Sequence, residues 1–124
     1  MKNILFTLAL LISFSSFSQN KIMSEDDIIE LASKLSESVS GRKVSNNDIT
    51  ILRAYAVGRT IVCYYNVPYA MELDGDDVKN QRINQMKVSG FGEVLFKNKI
   101  NFEMWFQKDN LMYLRVILNY SDFK

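Results

Sequence analysis

The sequence predicts an α+β fold: a two-layer α/β sandwich in the order α-β-β-α-β-β, with a four-stranded, mainly antiparallel sheet and two helices on one face. Three observations carry this. Two stretches that open on acidic capping residues continue with apolar residues at helical spacing. Each is followed by two β-rich runs joined by turn residues. Along those runs side chains alternate, so that one face of the sheet is apolar and suits a helical layer. The order of the strands does not follow; a meander and two hairpins meeting edge to edge both fit.

The chain begins MKNILFTLALLISFSSFSQN, the pattern of a secretory signal. Lys2 is its positive end, residues 4–14 form its apolar run, and Ser16 and Ser18 are small residues placed for cleavage before Gln19. The apolar run is shorter than the roughly 20 residues that span a bilayer. No cysteine stands directly after the cleavage point, which argues against a lipoprotein-type anchor. The expectation is therefore a cleaved signal over residues 1–18 and one α+β domain over 19–124, exported to the periplasm or secreted. No later segment is apolar enough to span a membrane.

The first helix is expected after Ser24, an N-cap with Asp27 three residues on as a short-armed capping-box acid. Met23 and Ile28 take the staple positions. Glu25, Asp26 and Asp27 suit the positive end of the helix dipole. Ile28, Leu31, Ala32, Leu35 and Val39 make one stripe, and Gly41 is the stop.

"DITILRAYAVGRTIVCYYNVP", residues 48–68, reads as a hairpin turning at Gly58-Arg59 in a type II′ turn. That turn pairs Val57 with Thr60. One face then carries Ala54 opposite Cys63, Ala56 opposite Ile61 and Leu52 opposite Tyr65. The other carries Tyr55 opposite Val62 and Arg53 opposite Tyr64. The small apolar face is the core side, because small side chains let a helix approach. Pro68 ends the second strand.

The second helical region starts at Asp74, with Asp77 three residues on and Leu73 and Val78 as its staple. Ile83, Met86 and Val94 suit its buried face. Gly90 and Gly92 would each cost about 1 kcal/mol in a helix interior; either the helix breaks there or the glycines let it lie close on the sheet, and a kink or break is expected between Ser89 and Gly92.

The last hairpin is "INFEMWFQKDNLMYLRVILNY", residues 100–120. Ile100, Phe102, Met104 and Phe106 alternate with Asn101, Glu103, Trp105 and Gln107; Met112, Leu114, Val116 and Leu118 are the facing apolar set. Pairing Phe106 with Met112 and Phe102 with Val116 leaves a three-residue loop, Lys108-Asp109-Asn110. It also sets Trp105 opposite Tyr113 and Glu103 opposite Arg115.

If both helices cover the apolar face, the other face presents Arg53, Tyr55, Tyr64, Glu103, Trp105, Tyr113 and Arg115, together with Val57, Val62 and Ile117. Arg53 and Tyr64 are placed for a cation–π contact. Tyr, Trp and Arg are the residue types enriched in binding hot spots, so these seven are the candidate binding residues. Cross-strand aromatic pairs also stabilise sheets without any partner.

Composition narrows the chemistry. The chain has no histidine, which removes Ser-His-Asp and Cys-His nucleophiles and His-ligated zinc. Cys63 is the single cysteine, so it forms no internal disulfide, and it sits in an apolar strand as a small hydrophobe. The formal net charge is +1 with basic residues scattered, which gives no footprint for nucleic acid. "ELDGDD", residues 72–77, lacks the spacing of an EF-hand calcium loop; helix capping accounts for it. No cofactor, metal site or catalytic residue is expected. The reading is a small exported non-catalytic protein that contacts a protein or envelope partner, or its own copies, through the aromatic face. The alternatives are a carrier of a small apolar ligand between sheet and helices, hinted at by Ala54, Ala56 and Gly90, and a histidine-free enzyme.

Overall fold

In the computed structural model, residues 22–41, 48–68 and 71–124 are described; the expected signal segment lies outside them. Helix α1 spans Glu25–Val39, strands β1 and β2 span Thr50–Val57 and Thr60–Asn66, helices α2 and α3 span Gly75–Ser89 and Phe91–Asn98, and strands β3 and β4 span Asn101–Lys108 and Leu111–Leu118. A 3-10 turn, Tyr120–Phe123, closes the chain. The fold is the expected α+β sandwich. Among the described residues, no helix is long and apolar enough to cross a membrane.

Both capped helix starts form as their sequences dictate. Ser24 Oγ accepts from the Asp27 N–H while an Asp27 carboxylate oxygen accepts from the Ser24 N–H, at 3.2 and 3.0 Å. Asp74 Oδ1 accepts from the N–H of Asp76 at 2.9 Å and of Asp77 at 3.4 Å. These bonds satisfy donors that a helix start otherwise leaves open. The α1 stripe of Ile28, Leu31, Ala32, Leu35 and Val39 is buried as expected. The second helical region does break: Gly90 takes φ +88°, ends α2 and starts α3. A left-handed residue has no place inside a helix, and glycine adopts it without a Cβ penalty.

The sheet order is β1-β2-β3-β4. β1–β2 and β3–β4 are antiparallel, and the central pair β2–β3 is parallel. A parallel join needs a crossover, which α2 and α3 supply. One apolar cluster unites α1, α2 and α3 with Ile51, Ala54, Ile61, Cys63, Tyr65, Phe102, Met104, Phe106, Val116 and Leu118. The three described α-helices therefore lie on one face.

The first hairpin keeps its expected register from Val57–Thr60 to Arg53–Tyr64, but a bulge follows. Ile51, not Leu52, stands opposite Tyr65, and Leu52 is exposed. The extra residue turns the β-branched side chain inward, where it is 4 % exposed. The second hairpin corrects its expected register by two residues. Phe106 faces Leu114, Trp105 faces Arg115, Met104 faces Val116 and Phe102 faces Leu118. The expected pairs Phe106–Met112, Phe102–Val116, Trp105–Tyr113 and Glu103–Arg115 do not form as direct neighbours. The loop is two residues, Asp109-Asn110, with φ +51° and +65°. Asp and Asn tolerate the left-handed region, and two such residues make the type I′ turn that matches strand twist. Lys108 then pairs with Leu111, and a bulge at Tyr113 restores the alternation. Met112 leaves the core for solvent, while Leu118 is fully buried.

Candidate functional site on the helix-free sheet face

Pairing register builds this face. Arg53 on β1 is opposite Tyr64 on β2, Tyr64 is opposite Trp105 on β3, and Trp105 is opposite Arg115 on β4. Four strands thus contribute one side chain each to a single row. The row is stacked end to end. The Arg53 guanidinium lies 4.8 Å from the Tyr64 ring centre, the Tyr64 and Trp105 rings are 5.4 Å apart, and the Arg115 guanidinium lies 5.1 Å from the Trp105 ring centre. Cations over aromatic faces are attracted by the ring quadrupole, so each end of the aromatic pair is closed by a charge. The contact expected between Arg53 and Tyr64 is present.

The neighbouring row runs Tyr55, Val62, Glu103, Ile117. Tyr55 joins the two rows: its hydroxyl is 3.1 Å from the Tyr64 hydroxyl and its ring is 5.6 Å from the Tyr64 ring. The hydrogen bond to Tyr64, followed by burial, raises the Tyr55 pKa. Glu103 ties the other side. One of its oxygens, Oε1, accepts from Trp105 Nε1 at 2.8 Å and from Arg115 Nε at 3.0 Å. Burial pushes the Glu103 carboxyl upward, but the Arg115 and Trp105 hydrogen bonds and the Arg115 charge together outweigh it and hold the pKa below the ordinary range. Glu103 is therefore a fixed anion and acceptor on this face.

Six of the seven candidate residues share this surface: Arg53, Tyr55, Tyr64, Glu103, Trp105 and Arg115. Tyr113 does not stand beside Trp105. Its bulge turns it elsewhere: the hydroxyl accepts from the Leu73 N–H at 2.8 Å, and Lys108 Nζ lies 3.9 Å from the ring centre. It packs against the core and pins the entry to α2.

Two features have no counterpart among the residues the sequence singles out. A cleft of about 400 Å³ opens between α1 and β1, lined by Ile29, Ser33 and Glu37 on the helix and by Tyr55 and Ala56 on the strand. Tyr55 lines this cleft as well as belonging to the aromatic face. Arg82 is fully buried in α2, where it donates to the Tyr65 hydroxyl and to Gln85 Oε1, each at 3.3 Å. Burial lowers its pKa and raises that of Tyr65. Its place on the Val78–Arg82–Met86 stripe was the available signal: a cation at i+4 between buried apolar residues. The buried Cys63 thiol is pushed by desolvation up to about 12, so it stays protonated and unreactive at neutral pH.

No protein-family model and no curated protein matches the chain. Two solved structures share the fold. A candidate secreted protein from Pseudomonas aeruginosa superposes with TM-score 0.63 at 12% identity, covering 81% of this chain and 96% of that one. The pilotin of the Vibrio vulnificus type 2 secretion system superposes with TM-score 0.61 at 7% identity, covering 81% and 94%. At these identities the likeness is one of fold.

Proposed function

We propose that this chain is an exported, non-catalytic binding protein that docks a protein partner of the cell envelope on the helix-free face of its sheet. One observation carries the reading: the row Arg53–Tyr64–Trp105–Arg115, stacked across all four strands with no helix of the described residues over it. Such a row presents rigid aromatic area with charges already oriented, the combination that hot spots favour. The secretory pattern of residues 1–18 supports export. The fold likeness to a candidate secreted protein and to a secretion-system pilotin is in keeping with a binding role.

Affinity capture from the envelope of the exporting cell, with the wild-type chain and a Tyr64→Ala/Trp105→Ala double variant as baits, tests this. The variant keeps its circular dichroism spectrum, because neither side chain belongs to the apolar cluster. A partner captured by the wild type should be lost, with affinity reduced by about 2 kcal/mol or more, roughly 30-fold. A folded variant that captures the same partner equally well rules the face out.

A further inference from the structure

Helix α1 runs antiparallel to β1. Its entry meets the β1–β2 turn, where Arg59 donates to the Met23 carbonyl at 2.8 Å. Its exit meets the start of the strand, where the Gly41 N–H donates to the Ile51 carbonyl at 2.7 Å. β1 is an edge of the sheet, so every second residue directs its N–H and C=O away from β2. The Ala54 N–H shows which residues these are: it donates to Ser36 Oγ of α1 at 3.0 Å. Ala54 and Ala56 therefore point outward. Ser36 stands in for a neighbouring strand at Ala54. Among the described residues, no hydrogen bond reaches the outward N–H and carbonyl of Ala56.

These open groups border a cavity. The cleft of about 400 Å³ has Ala56 on its strand wall and Ile29, Ser33 and Glu37 on its helix wall. That volume falls within the roughly 300–1,000 Å³ of ligand sites. Ile29 lies off the buried stripe of α1 and is 53 % exposed. Glu37 is exposed and forms no ion pair among the described residues, and no described basic residue lines the cleft.

We infer that the cleft takes an extended peptide segment of a partner protein, which adds to β1 as a short edge strand beside α1 and carries the alternation apolar–x–basic. The backbone of Ala56 selects an extended chain, because another strand brings an acceptor and a donor together at the matching spacing. A small apolar ligand would drive water from both groups and pair neither. Strand side chains alternate, so the residue opposite Ala56 faces α1, as Ala56 does, and meets Ile29. Two positions on, the next residue on that side comes level with Ser36, which ends the open edge. There the unpaired Glu37 carboxylate selects Lys or Arg. The site lies apart from the Arg53–Tyr64–Trp105–Arg115 row and does not depend on the partner proposed for that row.

Panning a phage-displayed library of random dodecapeptides on the exported chain tests it. Enriched peptides should share apolar–x–Lys or apolar–x–Arg. As free synthetic peptides they should slow amide exchange at Ala56 by about tenfold or more, because a hydrogen-bonded amide exchanges only on opening. Ala56→Pro removes the outward donor without breaking a bond to β2, and proline is tolerated on an edge. It should weaken these peptides by about tenfold or more. Glu37→Lys leaves the backbone and the circular dichroism spectrum unchanged, and panning on it should replace the basic position by Asp or Glu. Glu37→Gln should weaken the original peptides by roughly two- to fivefold at low salt. Tyr64→Ala/Trp105→Ala should leave them bound. Panning that enriches no peptide over a blank surface overturns the inference. So do peptides that bind Ala56→Pro and Glu37→Lys as tightly as the wild type, and peptides lost only with Tyr64→Ala/Trp105→Ala, which belong to the aromatic face instead.

Discussion

Glu103 shows how one side chain can organise a surface. Its Oε1 receives both the indole N–H of Trp105 and the guanidinium of Arg115, and the pKa is lowered as a result. A carboxyl held below its unfolded value contributes stability that is complete above the unfolded pKa. That contribution is lost as pH falls through the folded pKa. Trp105 is the single tryptophan, so its fluorescence reports the event directly. Acid titration of the folded chain should give an emission change with a midpoint below the roughly 4.3 of an unperturbed glutamate. Glu103→Gln should remove that change. A midpoint at or above the ordinary value would mean that the two hydrogen bonds do not dominate. At this scale the sequence was informative where contact followed from strand alternation alone. Arg53 over Tyr64 required only the Gly58-Arg59 turn. Tyr113 was misplaced because a bulge moves a single residue off its face, and no residue type in "LMYLR" marks where it falls. The Glu103–Arg115 contact forms even though its expected register does not. The two are diagonal neighbours, and long side chains reach across that distance.

Among the elements, α3 depends most closely on a small residue. A Cβ added at Gly92 would lie 2.7 Å from Phe123 Cδ1, and Phe123 is buried under α3 in the closing 3-10 turn. The sequence marked a break near the two glycines and the structure separates their roles. Gly90 serves the backbone through its positive φ, and Gly92 serves packing by letting the chain's end approach. Close approach was an open alternative in the sequence, but its partner was not legible, because it is Phe123, far along the chain, rather than the sheet. Gly92→Ala should therefore cost about 1–3 kcal/mol, the usual range for overpacking. Adding Phe123→Leu should recover part of the loss, with a coupling of about 0.5–3 kcal/mol in a double-mutant cycle. Denaturant titration of the four variants measures it; strictly additive effects would place the strain elsewhere. The second hairpin failed at the same scale for a related reason. Residues 108–110 can close either a two- or a three-residue loop. The choice decides whether Met112 enters the core, and the two-residue loop with its bulge leaves Met112 in solvent while Leu114, Val116 and Leu118 keep the core face.

The whole molecule is held across its halves by Arg59, which the sequence marks only as a turn residue. Its guanidinium donates to the carbonyls of Met23 at 2.8 Å and Asn98 at 2.6 Å. Asn98 Oδ1 in turn accepts from the Met23 N–H at 2.6 Å. One side chain at the β1–β2 turn thus joins the entry of α1 to the end of α3, which leads into β3. Element types and the one-sided helical layer were readable from periodicity. The parallel β2–β3 join was not, because it is fixed by such long-range contacts and by the crossover they close. Hydrogen bonds from a charged group to buried carbonyls contribute about 1.5–3 kcal/mol, so Arg59→Ala should lower unfolding free energy by about that amount. The apolar cluster is continuous through α1, both hairpins and α3, so the loss should be shared by the entire fold. Guanidinium unfolding followed by Trp105 fluorescence and by far-ultraviolet circular dichroism should still give one coincident transition, shifted to lower denaturant with an unchanged slope. If the circular dichroism transition moves while the fluorescence one stays, α1 detaches on its own. The turn would then anchor only that helix rather than the molecule.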